Sequence, residues 1–150
     1  MIHIARMAPG HRLWNETLLL AANCSWKAGP VLAEWMRGRA FHGWERVFAA
    51  CVGGRVAGFC TLAEKDELLQ DNALTPFIGF VFVDESHRGK RLSQRLIQSA
   101  TAYARELGFE SVYLMSGEIG LYEKHGFRKL GDYETIYGGT DQLFVGPTAP

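Results

Sequence analysis

Residues 81–93 read Val81-Phe82-Val83-Asp84-Glu85-Ser86-His87-Arg88-Gly89-Lys90-Arg91-Leu92-Ser93, an apolar strand pattern running into a basic, glycine-containing turn that opens an amphipathic helix. Backbone N–H groups of a helix's first turn have no partner inside the helix, so a strand that delivers the chain to a helix N-terminus offers a cradle for phosphate. Arg88, Gly89, Lys90, Arg91, Leu92 and Ser93 are the candidate anion-binding residues. A second landmark is Tyr122-Glu123-Lys124-His125-Gly126-Phe127. The phenol of Tyr122, with a reference pKa near 10, can serve as an acid toward a leaving group of comparable basicity. Taken alone, Tyr122 and Phe127 also suit a plain structural role as core aromatics under a short helix.

A proton leaving an attacking group could pass to a carboxylate, of which Phe77–Val83 contains none, or to water and backbone carbonyls. Glu64, Asp66, Glu118 and Glu134 stand at strand or loop ends; Glu64 is taken as the base, although each of the four is more often a solvated surface charge. The three cysteines (Cys24, Cys51, Cys60) are odd in number, lack CxxC spacing and sit beside no histidine in a ligand pattern, so reduced thiols and no metal are expected. With Gly53-Gly54 as a two-residue hairpin turn, Cys51 faces Val56 rather than Cys60, which disfavours a cross-strand disulfide.

These residues need a scaffold. At 150 residues with 47% apolar content, the chain can bury the core of one domain, residues 1–150. Sixteen basic residues balance sixteen acidic ones, which argues against nucleic acid as a partner. No apolar run reaches the roughly 20 residues needed to span a bilayer, and the N-terminus lacks a signal peptide's apolar core. A cytoplasmic, soluble protein is the expectation.

Ile2–Ala5 reads as a strand, and His11–Ala22 places Leu13, Trp14, Thr17, Leu18 and Ala21 on one helical face. After a break at Asn23–Gly29, Pro30 opens a shorter helix. Val47–Val52 and Arg55–Leu62 form a hairpin around Gly53-Gly54, and Glu64–Leu74 is a polar connecting loop. Phe77–Val83 is apolar on both alternations apart from Gly79, the pattern of a central strand in which the glycine marks a bulge or a close backbone approach. Leu92, Leu96, Ala100, Tyr103 and Leu107 then recur at helical steps to Gly108. Ser111–Met115 is a strand, Ile119–His125 a short helix, and Phe127–Ile136 with Asp141–Val145 a last strand pair before a loose tail at Gly146–Pro150. The order β-α-α-β-β-β-α-β-α-β-β implies an α/β (α+β) fold, one mixed sheet flanked by helices. Phe77–Met115 forms a right-handed crossover with parallel strands.

This element order, the Val81-x-Val83 strand, Arg88-Gly89-Lys90-Arg91-Leu92-Ser93 and Leu121-Tyr122-Glu123-Lys124-His125-Gly126-Phe127 resemble the GCN5-related N-acetyltransferase (GNAT) superfamily. The resemblance covers nearly the whole chain and is most specific from Val81 to Phe127. It implies the GNAT-like acyl-CoA N-acyltransferase fold and acetyl-coenzyme A as co-substrate. In the family, a Q/R-x-x-G-x-G/A turn holds the pyrophosphate. Arg88 fills its first position, whereas Arg91 and Ser93 stand where glycines are usual; helical φ at a first turn does not itself demand glycine. By position, Val81, Phe82 and Val83 would bind the pantetheine arm, and a backbone N–H near Val81 or Phe82 would polarise the thioester carbonyl. Two parallel strands splaying apart would leave such groups available. Tyr122 matches the tyrosine that protonates the leaving thiolate. An asparagine usual after the fifth strand is replaced by Ser116, Gly117 and Glu118.

The activity implied is N-acetyl transfer to an amine, from a small molecule or a peptide, by direct attack in a ternary complex. Acceptor recognition would fall to Trp26, Phe41-His42-Gly43-Trp44 and Tyr137-Gly138-Gly139, where aromatic faces can bind a cation. Members often form homodimers. A nucleotide P-loop is excluded because position 84 is Asp and position 91 is Arg, which breaks GxxxxGK[ST]. The alternative is a GNAT-like domain that binds acyl-coenzyme A as a sensor or structural module without turnover.

Overall fold

A computed structural model describes residues 1–38, 41–69 and 73–150. Its elements are β1 (Ile2–Met7), α1 (Trp14–Asn23), α2 (Gly29–Arg37), β2 (Arg46–Val52), β3 (Arg55–Ala63), β4 (Phe77–Val83), α3 (Leu92–Glu106), β5 (Ser111–Ser116), β6 (Arg128–Glu134) and β7 (Thr140–Pro147), with single 3₁₀ turns at Glu85–His87 and Glu123–His125. The strands form one seven-stranded sheet in the order β1-β2-β3-β4-β5-β7-β6. Only the β4–β5 pair is parallel, so the sheet is mixed as the element order implied.

The apolar periodicities sort the chain onto two sheet faces. On one face α3 buries Leu92, Leu96, Ile97, Ala100, Tyr103 and Ala104 against Phe48, Cys60, Leu62 and Ile78. On the other, α1 and α2 bring Leu13, Trp14, Leu18, Ala21, Leu32 and Met36 against Val47, Ala49, Phe59 and Phe82. Consecutive residues of β2 thus serve opposite cores, and each fully buried large apolar side chain contributes about 1.5–3 kcal/mol over its exposed state. The Tyr103 hydroxyl donates to the Trp44 carbonyl at 2.7 Å, and the Arg6 guanidinium lies 4.3 Å from the Tyr103 ring centroid.

The Gly53-Gly54 hairpin has the anticipated register, with Cys51 opposite Val56 and Phe48 opposite Cys60, and all three cysteines are free. Two local expectations need correcting. The helix at Ile119–His125 is reduced to the 3₁₀ turn, because Gly120 (φ 81°) and Gly126 (φ 88°) hold left-handed backbone that a helix cannot pass through. The tail is not loose: β7 runs to Pro147, and Thr148 is buried, donating its hydroxyl to the Phe109 carbonyl at 2.7 Å and its N–H to that of Glu110 at 3.0 Å. Those bonds anchor the strand end that closes the sheet beside β5.

Candidate active site

β4 and β5 pair only through Phe77 with Tyr113 and Ile78 with Leu114, then separate. A cleft of about 1020 Å³ occupies the gap, at the top of the size range usual for ligand sites. It lies beyond the carboxyl end of the paired region, where ligands bind in such sheets. Gly79, Phe80, Val81, Phe82 and Val83 form one wall, and Leu114, Met115, Ser116, Leu121 and Tyr122 the other.

The wall formed by β4 is irregular for a definable reason. Its pairing with β3 passes from Phe82 opposite Phe59 to Gly79 opposite Thr61, so Phe80 and Val81 face Cys60 alone, and Phe80 takes φ 50°. A phenylalanine in left-handed backbone costs on the order of 1–3 kcal/mol and persists only where packing enforces it. Trp35 supplies that packing with an edge contact at 5.0 Å between centroids, and Trp26 a second at 6.4 Å. The bulge takes Phe80 and Val81 out of the regular ladder, and both residues line the cleft.

At one end the cleft is basic. His87, Arg88, Gly89, Arg91, Leu92 and Ser93 line it, while Lys90 is exposed outside it. Arg88 Nε donates to the Val83 carbonyl at 3.3 Å, which fixes the turn to the end of β4. Gly89 holds φ 87°, and Arg91, at the position preceding α3, holds φ 57°. The position of Arg91 therefore does favour glycine, contrary to the expectation of helical φ, because it lies one residue before the helix begins. No side chain caps this N-terminus, and Leu92 and Ser93, whose N–H groups belong to the first turn without intrahelical partners, line the cleft.

The opposite end is acidic. Asp66, Glu67 and Asp141 line it with Tyr137 and Gly117, while Trp26 lines the cleft stacked on Phe82 at 5.7 Å between ring centroids. The loop carrying Asp66 and Glu67 is tied to the β6–β7 turn by Leu69 N–H to the Glu134 carbonyl (3.1 Å) and Ile136 N–H to that of Glu67 (2.8 Å). Burial, opposed by the Glu67 N–H and reinforced by the charge of Asp141, pushes the Asp66 carboxyl up to about 7. Burial likewise raises Glu67, aided by its hydrogen bond with Asp141 and the charges of Asp66 and Asp141. Burial and the charges of Asp66 and Glu67 raise Tyr137. Among the described residues, no Lys or Arg pairs with these three carboxyls.

Tyr122 is buried, 6% exposed, with its hydroxyl hydrogen-bonded to Ser116. Burial first, then the neighbouring Cys60 and Glu118, push its phenol up to about 12. It is a weaker acid than the sequence alone implied, and it stays protonated as a hydrogen-bond donor throughout the neutral range. The stretch Ser116–Glu118, which replaces the usual asparagine, is held by buried Gln142, whose Nε2 donates to the carbonyls of Ser116 (3.2 Å) and Glu118 (2.8 Å).

Other expected residues lie elsewhere. Glu64 is exposed, outside the cleft, and its N–H is bound to Glu45 at 2.8 Å. Glu134 is exposed on β6, and Glu118 is exposed at the rim. Phe41 is buried against Trp14 and Trp35, and Trp44 packs on Phe109, so neither borders the cleft. Trp26 and Tyr137 do. Glu67 and Asp141 carried no sequence signal, whereas Gly79, the one non-bulky residue in an apolar strand, marked the approach of Asp66. Among the described residues no group of three or more His, Cys, Asp or Glu is placed to hold a metal, and no helix is long and apolar enough to cross a membrane.

A search of the curated proteins finds no match. Among solved structures, the fold is similar to the aminoglycoside 6'-N-acetyltransferase from Enterococcus faecium, at 15% identity and TM-score 0.73 over 99% of this chain and 98% of that one. An aminoglycoside 6'-N-acetyltransferase complexed with coenzyme A is similar at 14% identity and TM-score 0.73, covering 99% and 98%. A GNAT family acetyltransferase from Elizabethkingia anophelis with acetyl-CoA bound is similar at 15% identity and TM-score 0.67, covering 97% of each chain. The model of the acetyltransferase (GNAT) family matches residues 12–127. With most of its length matched, and with the splayed strands and basic turn that the motifs implied, this chain belongs to the acetyltransferase (GNAT) family.

Proposed function

We propose that this protein transfers the acetyl group of acetyl-coenzyme A to the amine of a small cationic acceptor. The observation that carries the reading is the polarity of a single cleft: a basic turn and a helix N-terminus without a side-chain cap at one end, carboxyls that pair with no Lys or Arg among the described residues at the other, and bulged β4 backbone between them. The residues suit the coenzyme's chemistry. Arg88, Gly89, Arg91, Leu92 and Ser93 would hold its phosphates through charge and free N–H groups. Val81, Phe82 and Val83 would hold the pantetheine arm by backbone pairing, and a β4 N–H would stabilise negative charge on the thioester oxygen. Bound there, the coenzyme supplies an activated acetyl group.

Asp66, Glu67, Asp141 and the face of Trp26 would attract and orient a protonated amine, which attacks once it has released its ammonium proton to water and regained its lone pair. Similarity to enzymes that acetylate aminoglycosides supports a small-molecule amine over a peptide. Tyr122, protonated and lining the same cleft, donates a hydrogen bond to the departing thiolate. The test is release of coenzyme A thiol from acetyl-coenzyme A in the presence of a panel of small polyamines, aminoglycosides and lysine peptides. Thiol release with cationic small molecules supports the reading. Tight acetyl-coenzyme A binding without thiol release for any acceptor would leave the sensor alternative in its place.

A further inference from the structure

The sheet holds a vacancy where a base would be convenient, and a neighbouring loop fills it. β4 contributes no carboxylate to the cleft, and at Gly79 it contributes no side chain at all. A Cβ built on Gly79 would lie 2.5 Å from Asp66 Oδ1 and 3.2 Å from Thr61 Oγ1. The Asp66 carboxylate thus occupies the space that a side chain of β4 would take, entering from the β3–β4 loop. Gly79 is followed directly by the bulge at Phe80 and Val81, whose backbone faces the acyl position in the proposed mode of binding. An amine attacking beside that bulge comes within reach of Asp66.

We propose that Asp66 is the catalytic base, taking the proton from the acceptor nitrogen during acetyl transfer. This rests on the transferase reading above. As the amine nitrogen bonds to the thioester carbon, one N–H proton passes to the Asp66 carboxylate. The C–S bond then breaks with the thiolate held by a hydrogen bond from the Tyr122 hydroxyl, and the proton taken by Asp66 passes through water to the sulfur. The sum is amine plus acetyl thioester to amide plus thiol.

The groups facing Asp66 suit this role. Glu67 from its own loop, Asp141 from β7 and Tyr137 from the β6–β7 turn are acidic, and Thr61 from β3 is neutral. Near neutrality Asp66 is half ionised, the condition under which a base is both available and strong enough to act. The other carboxyls are worse placed. Glu67 is engaged with Asp141, Glu118 is on the rim, and Glu64 is outside the cleft.

The experiment measures kcat/KM against pH for thiol release with the best acceptor of the panel, in the wild type, Asp66→Asn and Glu64→Gln. Acetyl-coenzyme A affinity is measured alongside as a check on fold. The wild type and Glu64→Gln should lose activity below about pH 7, and Asp66→Asn should be slower by about 10²–10⁴-fold with that acid limb gone and cofactor affinity within about twofold. Activity in Asp66→Asn within about threefold of wild type, or loss of the limb in Glu64→Gln instead, overturns the assignment. Should Asp66→Asn fail to bind the cofactor, the wild-type profile still decides, since the absence of any inflection between about pH 6 and 8 sinks the proposal. No thiol release by the wild type with any amine sinks the transferase reading itself and the proposal with it. Release that survives Asp66→Asn sinks only the base.

Discussion

The two ends of the cleft are built in opposite ways. The basic end is contiguous: Arg88 to Ser93 are consecutive, mostly exposed, and held by a strand end and a helix start that the sequence spells out. The acidic end is assembled from three places, the β3–β4 loop, the β6–β7 turn and the start of β7, and its carboxyls are driven upward in pKa by burial and by one another. The basic end is a charged surface on which water screens repulsion. The acidic end stores unfavourable electrostatics that a bound cation would relieve. Affinity for the coenzyme should therefore reside at one end and acceptor chemistry at the other, and substitutions should separate them.

The largest separation is expected from Gly79→Ala. Its Cβ would displace the Asp66 carboxylate, so kcat/KM should fall by about 100-fold while acetyl-coenzyme A affinity stays within about threefold. Equal loss of both would show that the ends are not independent. Tyr122→Phe comes next, with kcat lowered at least about tenfold at unchanged cofactor affinity. With the phenol pushed up to about 12, wild-type kcat should show no alkaline limb from Tyr122 below about pH 11.

Stability should also divide the two ends. Because folding raises the Asp66 pKa, its contribution is fully present below about pH 4 and is lost as pH rises through about 7. Asp66→Asn should thus stabilise the unliganded protein by about 1–3 kcal/mol at pH 8 and by almost nothing at pH 4, measured by denaturant titration at both values. No pH dependence in that difference would mean the acidic end is not strained. The smallest effect belongs to the basic end. Arg91→Gly removes a left-handed arginine, which more than offsets the extra freedom of the unfolded chain, and should raise stability by about 0.5–1 kcal/mol, seen as a small increase in Tm.

The same contrast governs what could be read from the chain. Helix faces such as Leu13, Trp14, Thr17, Leu18 and Ala21 follow from periodicity, and the register of Cys51 with Val56 follows from the turn, because both depend on neighbours in sequence. The basic turn is legible for the same reason. The acidic wall is not: Glu67 and Asp141 meet only because β7 lies beside β5 and the β6–β7 turn reaches back to the β3–β4 loop. Gly79 gave a partial signal, a missing side chain in an apolar strand, without saying which group would enter. Arg91 was misread because whether a residue is the last of a turn or the first of a helix shifts its φ from left- to right-handed, and element ends are the least legible feature of a sequence. Tyr122 was legible as a residue but not in its acidity, which is set by burial and by Cys60, Glu118 and Ser116 from other segments.

In the proposed reading the cleft between β4 and β5 holds coenzyme A with its phosphates on the basic turn. Calorimetric titration with acetyl-coenzyme A, for the wild type and for Arg88→Ala/Arg91→Ala, decides whether it does. The expected result is a wild-type Kd in the micromolar range that weakens with added salt, and at least about tenfold weaker binding in the double variant. Absence of binding, or an affinity indifferent to both arginines and to salt, would contradict it.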